Sequence, residues 1–212
     1  MKLKYLKTFE GYKLEPHRNY EERNKYAEDK MIKILQNESY EGYLNLSNNN
    51  FYNIKNLINL KYIIGLNSTL DISGNKYLKS LTPLKECKKI FANNTNIEDL
   101  GFLKEIFILN MNNNKNIKSL GKYLKIIDVN LYLTNTNIKN LGILKYVKYL
   151  NLDNTKNIKS LYPLRYVDTI YMLNSNIKDI SSIESPENVK LYLSTNTKIP
   201  KEQYKKFDYT LI

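Results

Sequence analysis

A pair of apolar residues separated by one polar or aromatic residue, then a polar turn, recurs down this chain at nearly even intervals. The pairs are Leu44/Leu46, Leu70/Ile72, Ile90/Ala92, Leu109/Met111, Leu131/Leu133, Leu150/Leu152, Ile170/Met172 and Leu191/Leu193. Their second members step by 26, 20, 19, 22, 19, 20 and 21 residues, a period near 20 that belongs to stacked-repeat architectures. Each unit then places apolar residues at three-residue steps, as in Ile97, Leu100, Leu103; Ile138, Leu141, Leu144; Ile158, Leu161, Leu164; and Ile177, Ile180, Ile183. No unit of this size can bury its apolar face alone, so neighbours must stack and share one core.

Within a unit the apolar-x-apolar pair predicts a short strand, two side chains in and the one between them out. Turns such as Thr134-Asn135-Thr136-Asn137 reverse the chain, because Asn, Asp and Thr side chains bond their own nearby backbone. The three-residue steps predict a tight 3₁₀-like or extended return, since about 20 residues leave no room for a long helix.

Written as Val147-x-x-Leu150-x-Leu152 with Asn-rich turns, the unit resembles the short leucine-rich repeats of internalins and of small phosphatase-regulatory proteins, over residues 40–199. The resemblance implies an α/β repeat solenoid, an arc of about eight parallel-strand units whose concave sheet binds partners. Thr95, Thr136 and Ser175 stand where that family favours Asn, as hydrogen-bonding substitutes. Insertions near Ile63–Thr69 and Leu124–Asn130 predict bulges. Residues 1–39 read as an N-terminal capping segment with a helix over about 19–36: Asn19 and Glu22 form a capping box, and Ala27, Met31, Ile34 and Leu35 share a face. Residues 200–212 read as a C-terminal cap, a short helix after Pro200 followed by a buried last strand.

The residues between the apolar pairs, with their neighbours, are the first candidates for contact with a protein partner: Asn45, Phe91, Asn110, Tyr132, Tyr149, Asn151, Tyr171 and Tyr192, alongside Asp71. Aromatics in a row on a rigid sheet offer contact area at low entropic cost. A second explanation stands beside this one, because the chain holds 19 tyrosines and cross-strand aromatic packing stabilises sheets by itself.

Charge offers another candidate. Lys+Arg number 33 against 21 Asp+Glu, for a net +12. The column Lys79, Lys118, Lys139, Lys159 and Lys178, broken by Glu98, and a second through Lys61, Lys85, Lys104, Lys125, Lys145 and Arg165, would stack at about 5 Å and suit a polyanion. Lys118, Lys139, Lys159 and Lys178 are the candidate polyanion-binding set. Composition rich in Asn, Lys, Ile and Tyr also fits an A+T-rich coding sequence, which would supply lysines without selection for a ligand.

Enzyme chemistry is not expected. One histidine, His17, and one cysteine, Cys87, fall in different regions; no nucleophile-elbow or phosphate-loop motif occurs; and Asp71 and Asp153 lie several repeats apart. Cys87 occupies the position of Val147 and Val167, which predicts a buried small hydrophobe. No zinc set, cofactor or small-molecule substrate is indicated. With no disulfide framework and no apolar run at the start, an intracellular protein (cytoplasmic or nuclear) without a membrane span is expected. The sequence therefore predicts a non-catalytic protein-binding scaffold; the alternative is a basic subunit associated with nucleic acid or ribonucleoprotein.

Overall fold

A computed structural model describes residues 43–48, 68–82 and 84–212 of the 212-residue chain. These residues wind into a parallel β-solenoid of about seven turns with little helix. Nine strands line up in chain order in one sheet: β1 Tyr43–Asn45, β2 Thr69–Asp71, β3 Lys89–Phe91, β4 Glu105–Asn110, β5 Ile126–Tyr132, β6 Tyr146–Asn151, β7 Thr169–Met172, β8 Lys190–Leu193 and β9 Asp208–Leu211. Every neighbouring pair is parallel, and the register aligns equivalent positions, as in Leu131↔Leu150 and Leu150↔Ile170. All eight apolar pairs are buried, and so are the return residues at three-residue steps, such as Ile158, Leu161 and Leu164. Those returns combine short extended stretches with single tight turns, in which Leu84, Leu144, Leu164 and Ile183 N–H donate to the carbonyls of Leu81, Leu141, Leu161 and Ile180. The only described helical segments are a single 3₁₀ turn at Pro186–Asn188 and α1, Lys201–Tyr204, so the helical half of the expected α/β description is not carried by the described residues. The expected N-terminal cap and its helix, and most of the insertion near Ile63–Thr69, lie outside them. The insertion near Leu124–Asn130 is a bulge, where the register slips between Ile127 and Asn130.

Each coil turns a corner that only certain residues can occupy. Asn48, Asn94, Asn113, Asn135, Asn154 and Asn174 take φ between 53° and 63°, and Gly74 fills the same place at 75°. Asparagine and glycine tolerate the left-handed region best, which is why they hold this position in those seven coils; Thr195 stands there after β8, where the corner is not left-handed. The next position is buried and polar. Thr95, Thr136 and Thr155 donate their hydroxyls to the carbonyls of Ala92, Leu133 and Leu152 at 2.8, 2.8 and 2.6 Å. Where asparagine stands instead, Asn75 donates to Leu46 O and Ile72 O, and Asn114 to Thr95 Oγ1. Asn114 Oδ1 also accepts from the N–H of Asn116 and Ile117, and apart from the Asn114–Thr95 link these bonds satisfy backbone groups that the turn would otherwise leave buried and unpaired.

The coils alternate between two kinds, which the apolar spacing does not reveal. Coils with the longer turns carry Lys-Ser-Leu in the return, at Lys79-Ser80-Leu81, Lys118-Ser119-Leu120 and Lys159-Ser160-Leu161. The coil after each carries Asp99, Asn140 or Asp179 at the matching place. Ser80, Ser119 and Ser160 donate to those side chains at 2.9, 2.6 and 2.8 Å, and the only parallel bridges on the return side at these positions join the same pairs. The amides of Asn96, Asn137 and Asn176 reinforce the pairing by donating to the carbonyls of Lys76, Lys115 and Lys156. The working unit is thus a pair of coils.

At the C-terminal end, Phe207 is buried and Tyr204 packs against the core, so α1 and the residues after it cover the last coil. The final strand was expected to be buried. β9 forms and pairs with β8, but all four of its residues are exposed, because no further coil covers Tyr209 and Leu211 on the core side.

Two outcomes follow for thermal unfolding. A Cβ at Gly142 (φ 63°) would lie 2.1 Å from Gly121 O, whereas one at Gly121 (φ 81°) meets nothing within 4 Å. G121A should cost only the left-handed penalty of about 1–2 kcal/mol, a few degrees in Tm, and G142A at least twice that. Asp179 is held below its ordinary 3.8 by the Ser181 hydroxyl first, then the Ser181 N–H and Ser160. Its contribution is therefore present at neutral pH and is lost as the pH falls through the lowered pKa. D179N should be less stable than the native chain at pH 7, with the difference closing under acid; a gap that persists unchanged at pH 2 would contradict this.

Candidate functional site

The sheet register lays two columns of side chains side by side on the solvent face. One runs Asn45, Asp71, Phe91, Asn110, Tyr132, Asn151, Tyr171, Tyr192, Thr210; the other runs Tyr43, Thr69, Lys89, Ile108, Asn130, Tyr149, Thr169, Lys190, Asp208. The expected row of outward residues is therefore a real column, but its members do different things. Asn45, Asn110 and Asn151 fold their carboxamide oxygens onto the N–H of Ser47, Asn112 and Asp153 at 2.9, 3.2 and 2.9 Å, and Asp71 does the same for Ser73. These residues shape the end of each strand, and Phe91 stands among them in the first half of the sheet.

The second half is different. Tyr132, Tyr149, Tyr171 and Tyr192 form an unbroken ladder, with ring centroids 5.4, 5.3 and 4.2 Å apart. It zigzags because Asn151 takes the main column in β6, so Tyr149 steps in from the neighbouring column to bridge Tyr132 and Tyr171. Tyr171 and Tyr192 are stacked nearly flat, 9° apart. All four rings are half-buried. Desolvation pushes the Tyr149 and Tyr171 phenols above their ordinary range, with neighbouring tyrosines and Asp153 adding to it, so both stay protonated near neutral pH. Such a surface offers flat apolar rings with hydroxyl tips, held rigidly by their neighbours.

The lysine columns are less uniform than the sequence implies. Lys118 and Lys159 turn back onto their own loops and donate to Lys115 O and Lys156 O at 3.0 and 3.1 Å. Lys115 and Lys156 in turn reach across to Asn135 and Asn174 of the next coil. Lys139 and Lys178, in the intervening coils, are exposed. All four of Lys118, Lys139, Lys159 and Lys178 are exposed, but Lys118 and Lys159 also bond their own loops, whereas Lys79, at the matching place, pairs with Glu98 of the next coil. Among the described residues only two ion pairs occur, Lys79–Glu98 at 3.8 Å and Arg165–Glu184 at 2.9 Å, both exposed and therefore weak.

Sequence reasoning missed a set of rings on the return side. Phe102 and Tyr162 are exposed there, Tyr162 at 69%. Tyr123 contacts Phe102 at 5.5 Å. Their signal was present as an aromatic two or three residues before the Lys104, Lys125 and Arg165 column, but nothing local distinguishes such a ring from one that folds inward.

No three His, Cys, Asp or Glu side chains among the described residues come together as a group that could hold a metal ion, and no described helix is long and apolar enough to cross a membrane. The chain matches no protein-family model, no characterised protein and no solved structure.

Cys87 sits in the core as expected, with no measurable exposure. Burial pushes its thiol up to about 11, against an ordinary 9.0. Near neutral pH it should hold about a hundredfold less thiolate than a free cysteine and be sterically shielded as well. Maleimide or disulfide reagents should label it at least about a hundredfold more slowly in the native protein than in denaturant; rapid native labelling would mean that the first coils open readily.

Proposed function

We propose that the chain is a non-catalytic binding scaffold of the leucine-rich-repeat type that docks a protein partner on the solvent face of its sheet, with the tyrosine ladder as the anchor. The observation that carries this reading is the continuity of Tyr132, Tyr149, Tyr171 and Tyr192, four rings in mutual contact across β5 to β8. Rings already immobilised by their neighbours lose little freedom on binding, and aromatic clusters of this kind dominate the energetics of protein interfaces. Lys190 and Asp153 border the ladder and offer polar contacts at its rim, while Asn45, Phe91 and Asn110 extend the same face toward the first coils.

The repeat family is supported by the recurring buried Asn or Thr after each strand and by the strictly parallel, in-register strands. The asparagine ladder typical of such repeats has its counterpart in the bonds of Asn75, Asn114, Thr95, Thr136 and Thr155. On this reading the sheet is the concave surface of an arc, and the ladder lies along its inner wall.

The test compares native protein with Y171A/Y192A in affinity capture after nuclease treatment. Removing the stacked pair should cost about 0.5–1.5 kcal/mol of stability beyond lost area, leaving the fold intact by circular dichroism. A discrete protein held by the native chain should bind the double variant at least tenfold more weakly. If that partner binds the folded variant with undiminished affinity, the ladder is sheet packing and not an interface.

A further inference from the structure

We propose that the return side of the solenoid, opposite the sheet, carries a second binding surface: a platform for single-stranded nucleic acid centred on Phe102, Tyr123 and Tyr162 and the lysines Lys122, Lys125 and Lys145. This surface is separate from the tyrosine ladder and does not depend on it.

Three observations carry the assignment. First, charge is segregated there. The consecutive segments 114–127, 136–147 and 155–167, which form the turns and returns of three successive coils, contain no Asp or Glu at all. Carboxylates flank these segments, with Glu98, Asp99 and Glu105 before, Asp179 and Glu184 after, and Asp128, Asp153 and Asp168 in or next to the sheet strands. Second, the cations are stacked by the backbone. Lys125 N–H donates to Lys104 O, Lys145 N–H to Lys125 O and Arg165 N–H to Lys145 O, at 2.9, 2.9 and 3.1 Å, so one side chain emerges per coil, about 4.8 Å apart. All four are exposed, and Glu184 neutralises only the last, Arg165. Third, rings and cations are interleaved. Lys122 Nζ lies 5.2 Å over Tyr123, Lys145 Nζ lies 5.9 Å over Tyr162, and Phe102 packs against Tyr123.

A charged groove tracking a backbone, set with aromatic faces for bases, is the combination that holds single strands without strict sequence preference. Flexible lysine stems can follow phosphates whose spacing differs from that of the coils. A duplex fits poorly, because its bases are stacked internally and give Phe102 and Tyr162 nothing to cover. An anionic membrane fits less well than a single strand. Among the described residues the exposed large apolar side chains of the returns are all rings (Tyr77, Phe102, Tyr162, Tyr166), with no exposed Leu, Ile or Met to enter the acyl region.

The probe is a fluorescently labelled oligouridylate about 16 nucleotides long, titrated with the full chain across a salt series and read by anisotropy. Binding should weaken steeply with salt. K122Q/K125Q/K145Q should lower the log–log salt slope by about two, from roughly 0.7 per phosphate contact on a single strand. Y123A/Y162A should weaken binding at least about tenfold at fixed salt with the slope unchanged. Y162A alone serves if the double variant unfolds, since that ring is 69% exposed. Y171A/Y192A should bind like the native chain, which separates this surface from the sheet face. The proposal is overturned by no binding at low salt, by ring variants that bind normally while the lysine variant does not, or by phosphatidylserine vesicles capturing the chain through these residues when the oligonucleotide does not.

Discussion

Every coil hangs on the one before it through parallel backbone hydrogen bonds, and the rest of the molecule follows from that in-register stacking. Strands about 4.8 Å apart place each residue over its equivalent in the next coil, so a choice made at one position becomes a column. An apolar choice becomes a continuous core; a polar choice inside becomes a ladder of bonds to turn carbonyls; a tyrosine outside becomes a stack of rings. A single coil gains none of this, since each of these interactions needs a neighbour.

The cost of stacking is concentrated at the corners. Where the chain reverses in a few residues it adopts a left-handed conformation and buries backbone groups, and it does so at the same place in successive coils up to the last. The left-handed residue is Asn or Gly, and the residue after it carries a hydroxyl or amide that bonds back to the strand. Gly142 shows the same pressure on the return side, where its missing side chain lets two coils approach with backbone against backbone. Eight of the 31 asparagines meet the requirement of these corners, six left-handed and two, Asn75 and Asn114, buried beside them.

Stacking also divides the surface. On the sheet side, asparagines and Asp71 tend the strand ends while tyrosines collect in the second half. On the return side, serine meets Asp or Asn only within pairs of coils, and some of the exposed lysines also bond their own loops. The two faces therefore differ in chemistry: half-buried, mutually stacked phenols on one, and exposed rings among cations on the other.

The period, the eight apolar pairs, the in-or-out sense of each strand residue and the core role of Cys87 were legible in the sequence, because each depends on local alternation and on register repeated every 20 or so residues. The turn asparagines were legible as structural for the same reason. What only the tertiary structure decided is which members of a column act together. Tyr149 touches Tyr132 and Tyr171 from the neighbouring column of β6, Lys118 and Lys159 bend onto their own loops, Tyr162 stands clear of its coil and β9 stays exposed. Each of these depends on lateral neighbours, turn length or the absence of a following coil, none of which a periodic pattern encodes.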